Sequence, residues 1–240
     1  MAGVTVPSGL VLVTFGDDPS KIRGLKSPYI NLGLGKRYVD TFSKFEAFSA
    51  FLAEKPLQDS DVICFVDGYD VVQRRTDLDA FVERFKEFGA DLVFGAETYC
   101  WPSPWMAHLF PKTETKYRFP NCGTYVGYVW AVKRMLAWDE YRQTFDDQGL
   151  VHDFYLSVKD VRVSMDHHQV LFQTGTFVPW SELDKTQAWF VHFNGKSHLG
   201  VGTDGSSFCI LDRYSRGEPI GGLRQMHLTL EEQRLGPGGR

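Results

Sequence analysis

Three short runs of consecutive apolar residues, Leu10-Val-Leu-Val-Thr-Phe15, Val62-Ile-Cys-Phe-Val66 and Leu92-Val-Phe-Gly-Ala96, each give way abruptly to polar or glycine-rich sequence. Such runs are too short for helices and lack the alternation of a half-exposed strand, so they read as strands buried on both faces. Between the first two, Val39, Phe42, Phe45, Phe48, Phe51 and Leu52 recur at mainly helical intervals, predicting a helix from about Tyr38 to Leu52. Between the second and third, Leu78, Phe81, Val82, Phe85 and Phe88 predict another, ended by Gly89. Strand, helix, strand, helix, strand implies an α/β fold with a mostly parallel sheet covered on both faces by right-handed crossovers. Further along the pattern is mixed. Residues 124–132 read as a strand running into a helix, 136–141 and 150–158 as helical, and 161–165 and 189–193 as strands. Glycine or charge dominates 200–205 and 216–240, so a single domain over 1–215 with a C-terminal tail at 216–240 is expected.

The chain has 240 residues, 43% hydrophobic and 23% charged, as in ordinary globular proteins. A net charge of −4 with no block of Lys or Arg argues against nucleic acid as partner but is compatible with a small anion held through a metal. Cys64, Cys100, Cys122 and Cys209 are widely spread without a C-x-x-C pair and read as free thiols of cytosolic usage. Residues 1–10 lack a basic and then apolar leader pattern, and no stretch is long enough to span a bilayer, so a cytoplasmic location is expected, in host cytoplasm if the chain is viral.

Polar residues cluster where the strands end, which is where ligands of open α/β sheets collect. Asp67 and Asp70 flank Gly-Tyr directly after the second apolar run, a spacing that lets both carboxylates reach one hard cation. It equally suits an Asp turn that caps the next segment. His192, in Trp189-Phe-Val-His192-Phe-Asn194-Gly-Lys196, interrupts an aromatic strand and is either a metal ligand or a hydrogen-bonded core residue. Asn194 and Lys196 beside it suit phosphate oxygens. Asp146-Asp147-Gln148 sits at a helix start, either as a cap or as carboxylates near a reacting sugar. Asp166-His167-His168 forms another polar group after a strand. Trp101-Pro-Ser-Pro-Trp105 offers aromatic faces on a rigid loop, suited to sugar stacking or to closing a core. Asn121-Cys-Gly123-Thr-Tyr-Val-Gly127 is expected to hold a glycine-bearing turn, either one that lets the backbone approach a ligand closely or an ordinary turn that needs none.

In combination, Phe65-Val-Asp67-Gly-Tyr-Asp70-Val-Val, Ala96-Glu-Thr-Tyr-Cys-Trp101-Pro, Arg118-Phe-Pro-Asn121-Cys-Gly123-Thr-Tyr-Val-Gly127, Asp146-Asp-Gln148, Asp166-His167 and Phe172-Gln173 follow the order seen in one family. The chain resembles the glycosyltransferase domain of procollagen lysyl hydroxylases and related collagen glycosyltransferases, over about Leu10 to Gly200. The resemblance implies a GT-A fold and metal-dependent use of a UDP-sugar, with Mn2+ or Mg2+ held by Asp67, Asp70 and His192. It also implies nucleotide contacts at Thr14 and Lys44, stacking of Tyr69 near the uracil, and diphosphate contacts at Asn194 and Lys196. Trp101, Asn121, Asp146, Asp147, Gln148 and Asp166 would line the sugar and acceptor side. The activity so implied is transfer of glucose from UDP-glucose to galactosyl-hydroxylysine in collagen or a collagen-like polypeptide, with retention. Inverting galactosyl transfer to hydroxylysine, and a non-catalytic binding module of the same fold, stand as alternatives. The implied partners are the UDP-sugar and that polypeptide, with self-association left open.

Overall fold

The computed structural model describes residues 9–138 and 146–194. A six-stranded sheet forms the centre, in the order β2 (Ile30–Asn31), β1 (Leu10–Phe15), β3 (Val62–Asp67), β6 (Phe119–Tyr128), β5 (Leu92–Glu97), β7 (Val163–Asp166). Five strands run one way, and β6 runs antiparallel to both of its neighbours. A smaller sheet joins β4 (Val71–Gln73), β9 (Phe190–His192) and β8 (Phe172–Thr174), with β4 antiparallel and β8 parallel to β9.

Alternate side chains of the buried strands serve opposite faces. Val11, Val13, Phe65, Phe94 and Tyr125 pack against α1 (Ser43–Glu54), α3 (Val129–Leu136) and α4 (Asp147–Ser157). Leu10, Leu12, Cys64, Val66 and Val93 pack against α2 (Leu78–Lys86) and the small sheet. Stacked aromatic rings tie α1 to the sheet: Phe65 lies 5.1 Å from Tyr125 and 5.9 Å from Phe48, centroid to centroid. Cys64, Cys100 and Cys122 are free thiols.

The first predicted helix begins later than its apolar spacing suggests. Asp40 accepts from the backbone N–H of Phe42 and Ser43, at 3.0 and 3.1 Å, so the chain turns there and Tyr38 and Val39 stay exposed before α1. Asn121-Cys-Gly123 is likewise not a turn. It lies within β6, where pairing with β5 jumps from Phe94↔Tyr125 to Gly95↔Asn121 and forms a bulge. Of the predicted helix at 136–141, Leu136 closes α3; residues from 139 on, like the tail at 216–240, fall outside the described residues.

Phe65 is fully buried at the centre of this stack, so Phe65→Ala should lower the unfolding free energy by about 3–5 kcal/mol in guanidinium titration. A loss under about 1 kcal/mol would show that the stack contributes little to stability.

Candidate active site

The main chain leaves the large sheet at Asp67, the last residue of β3, and enters the small sheet at Val71. A Cβ on Gly68 would come within 2.5 Å of the Phe15 carbonyl oxygen, so the absence of a side chain lets this link cross the end of β1. Across the antiparallel β4–β9 pair Val71 faces His192, and the Phe193 N–H donates to the Asp70 carbonyl at 2.8 Å. This pairing carries His192 to the two carboxylates: its Nε2 lies 3.3 Å from Asp70 Oδ1 and 3.6 Å from Asp67 Oδ2. One ligand atom from each residue lies within 4.8 Å of the others, and among the described residues this is the only such group of three. The carboxylate side chains keep 27% and 29% of their surface open, leaving one face for a ligand.

The surroundings fit a divalent cation. His192 Nδ1 lies 2.8 Å from Asn121 Oδ1, and the same oxygen accepts from the Gly123 N–H at 3.1 Å. Because that N–H needs an acceptor, the oxygen end of the Asn121 amide faces the imidazole, so Nδ1 carries a proton, and in the neutral ring Nε2 is left with a lone pair that a cation held between the two carboxylates would accept. A Cβ on Gly123 would lie 2.2 Å from His192 Cε1 and 2.4 Å from Asp67 Oδ2. The β6 bulge thus places bare backbone where any side chain would fill the cradle. Burial pushes Asp67 above the usual carboxylate range, against the pull of Lys44. Burial also pushes Asp70 upward, but the charge and hydrogen bond of His192 outweigh it and leave Asp70 low. For His192, burial favours the neutral ring while Asp70 and Asp67 draw it above its ordinary 6.5.

Lys44 of α1 enters from the other side. Its Nζ lies 3.1 Å from Asp67 Oδ1 and 2.7 Å from Asp147 Oδ2. Burial opposes its charge, but Asp147 and then Asp67 more than compensate, and its pKa stands well above the usual lysine value. Were a cation to take the Nε2 lone pair and so keep His192 neutral, the three carboxylates against this one ammonium would leave two negative charges, which a divalent cation balances. The Cys122 thiol, 3.1 Å away, donates to Asp147 Oδ2.

Asp146 caps α4, its Oδ1 accepting from the Gln148 N–H at 2.8 Å, and its Oδ2 receives Trp101 Nε1–H at 3.3 Å. Burial first, then Asp147, raises the Asp146 pKa. The Gln148 amide accepts from the Cys122 N–H and donates to the Trp101 carbonyl, both at 3.1 Å, and to Glu97 Oε1. On the second oxygen, Glu97 Oε2 accepts from Asn194 Nδ2 at 2.7 Å. Glu97 closes β5 and was not singled out in the sequence, although a carboxylate after a buried apolar run was the same signal that marked Asp67. Burial pushes it up to about 8.

Other expected residues are placed differently. The Thr14 hydroxyl donates to the Val66 carbonyl at 2.7 Å and ties β1 to β3. Tyr69 donates to Asp17 Oδ1 at 2.5 Å and accepts from the Asp18 N–H at 2.8 Å, at the end of β1. Asp166 is fully buried, and its oxygens accept from the N–H groups of Val170, Leu171 and Phe172, so it organises the turn into β8. Lys196 lies outside the described residues.

A profile of the family described as PLOD GT domain matches residues 29–178, more than half of the chain. The chain belongs to the PLOD GT domain family. The rat multifunctional procollagen lysine hydroxylase and glycosyltransferase LH3 is 30% identical over 119 residues, 48% of this chain and 16% of that protein. The Drosophila melanogaster procollagen-lysine,2-oxoglutarate 5-dioxygenase is 44% identical over 88 residues, 36% of this chain and 12% of that protein. The matches thus span a small part of these relatives' length. A glycosyltransferase involved in glycosylation of the major capsid of PBCV-1 is similar in structure, with a TM-score of 0.49 and 12% identity over 86% of this chain and 98% of that one. This PLOD GT domain is a glycosyltransferase domain of the α/β class, with the mixed and mostly parallel sheet expected of it.

Two outcomes follow from the geometry. Gly123→Ala should weaken Mn2+ binding by roughly 10–100-fold in calorimetric titration while the circular dichroism spectrum is kept; unaltered affinity would show that the cradle tolerates a methyl group. The unfolded Glu97 carboxyl loses its proton near 4.5 and the folded one near 8. Over that interval the folded state holds the extra proton, so this group's contribution to stability falls as pH rises and levels off above about 8. Glu97→Gln removes the titration, so melting of the chelator-treated variant should decline less than native between about pH 6 and 8. Equal declines would place the folded pKa elsewhere.

Proposed function

We propose that this chain transfers glucose from UDP-glucose to the galactose of galactosyl-hydroxylysine in a collagen-like polypeptide, with retention at the anomeric carbon. The observation that carries it is the convergence of Asp67, Asp70 and His192 on one open face at the carboxyl end of β3. Names of relatives in the same family join procollagen lysine hydroxylase to glycosyltransferase and supply the acceptor class.

In this reading Asp67, Asp70 and His192 hold Mn2+ or Mg2+, which when bound supplies Lewis-acid neutralisation of the donor diphosphate. Tyr69, fixed by Asp17 and Asp18, forms the nucleoside rim beside Thr14. Lys44 acts on the nucleotide through Asp67, whose carboxylate it holds in place. Asn194 and Lys196 serve the diphosphate. Asp147, clamped by Lys44 and Cys122, faces the sugar with a fixed negative charge that stabilises positive charge developing at the anomeric carbon. Asn121, Gln148 and Trp101 line the sugar side, and Asp166 shapes it from behind through its turn.

Retention is supported by how Asp146 and Asp147 are engaged. Each is bound to neighbouring groups, so neither stands free as a nucleophile. The acceptor hydroxyl then attacks from the face that the diphosphate leaves, and its proton passes to a diphosphate oxygen. The raised pKa of Asp146 favours a second reading. As a general base it would support inverting transfer of galactose to hydroxylysine itself.

A donor screen with Mn2+, offering galactosylated and unmodified hydroxylysine peptides, tests both. The expected product is an α-linked glucose on the galactosylated peptide, seen by NMR. A β-linked galactose on unmodified peptide would establish the second reading instead. Asp70→Ala should lower metal-stimulated UDP release by roughly 100-fold or more; undiminished release would remove Asp67, Asp70 and His192 from the site.

A further inference from the structure

Among the described residues, two that are not glycine have left-handed backbone, Gln169 at φ 53° and Phe177 at φ 60°. The first is explained by its amide. Gln169 is buried, donates to the carbonyls of Ala96 and Asp166 at 3.0 and 2.8 Å, and accepts from the Thr174 N–H at 2.7 Å. Phe177 has no polar side chain to offset the conformation, and 37% of it is exposed.

Its backbone is held by others. Asn194 Oδ1 accepts from the N–H groups of Gly175 and Thr176, both at 3.3 Å, and the Thr176 hydroxyl donates to the Asn194 carbonyl at 2.6 Å. The Thr98 hydroxyl donates to the Thr176 carbonyl at 3.1 Å, and Tyr99 meets the Phe177 ring edge-on at 6.0 Å. Glycine would meet these constraints without strain, so the ring is not there to satisfy the loop.

The same network sets where the ring stands. Asn194 hangs from one oxygen of Glu97, while Gln148, which also holds the Trp101 carbonyl, hangs from the other. The backbone of Trp101, whose residue is 55% exposed, and the backbone just before Phe177 are therefore linked, through Gln148 and Asn194, to opposite oxygens of one buried carboxyl. Tyr69 marks the end of β1, and β5, whose end holds this carboxyl, lies three strands across, about 14 Å at ordinary strand spacing. Phe177 belongs to the side away from the nucleoside rim.

We propose that Phe177 is a specificity-determining residue whose ring takes the apolar C–H face of the acceptor's hexose. A partly exposed aromatic ring, held edge-on by Tyr99, matches a pyranose, which presents C–H groups on its faces and hydroxyls at its edge. This rests on the transferase reading above.

The test compares Phe177→Gly and Phe177→Tyr with the native chain, using UDP-glucose and Mn2+. Three rates are read: UDP release without acceptor, transfer to methyl galactoside, and transfer to galactosyl-hydroxylysine peptide. Phe177→Gly should melt at or above the native temperature and keep acceptor-free release and donor KM within about twofold, while kcat/KM for both acceptors falls roughly three- to tenfold. Phe177→Tyr should restore it. Unchanged kcat/KM for both acceptors, or a loss confined to the peptide, would overturn the hexose assignment while leaving the transferase reading standing. Absence of UDP release from the native chain would overturn both.

Discussion

A buried ammonium group requires opposite charge within reach, and Lys44 finds it only where α1, β3 and α4 meet. Desolvating the charge costs several kcal/mol, which is offset only if Asp67 and Asp147 both stand beside it. Asp67 belongs to the strand end and Asp147 to the helix start, so the ion pairs tie the helical layer to the sheet at the edge that carries the candidate site. Moving any one of the three elements would leave an unpaired charge.

From this clamp the site divides into two chemically different halves. One is charged, with Asp67, Asp70, His192 and Lys44. The other is built on amides around a raised carboxyl, with Gln148 and Asn194 on Glu97 and Asn121 on His192. Successive residues of α4 connect them, since Asp147 faces the lysine and Gln148 faces Glu97. Their opposite attachments follow from the first turn of a helix, where neighbouring side chains diverge by about 100°.

Strand positions and the acids that end strands were legible because burial on both faces leaves a continuous apolar run. Asp67, Asp70 and their relation to the core could be read that way. That His192 would join them depends on the pairing of β4 with β9, a non-local register that local pattern does not encode. The β6 bulge was hidden for the same reason, and Asn121-Cys-Gly123 looked like a turn because glycine marks both. The late start of α1 reflects competition between the Asp40 side chain and the helix for backbone N–H groups. The left-handed backbone of Phe177 has no sequence signal, since nothing about a phenylalanine announces a positive φ.

The pairing of β4 with β9 also bears on the order in which the molecule can acquire its centre. Asp70 and His192 are separated by about half the chain, and that loop must close before the third ligand arrives. During synthesis the large sheet through β6 can form while the two carboxylates still lack their imidazole. A cation bound to the finished trio would therefore act as a late fastener, favouring the closed small sheet over conformers in which β9 has come away.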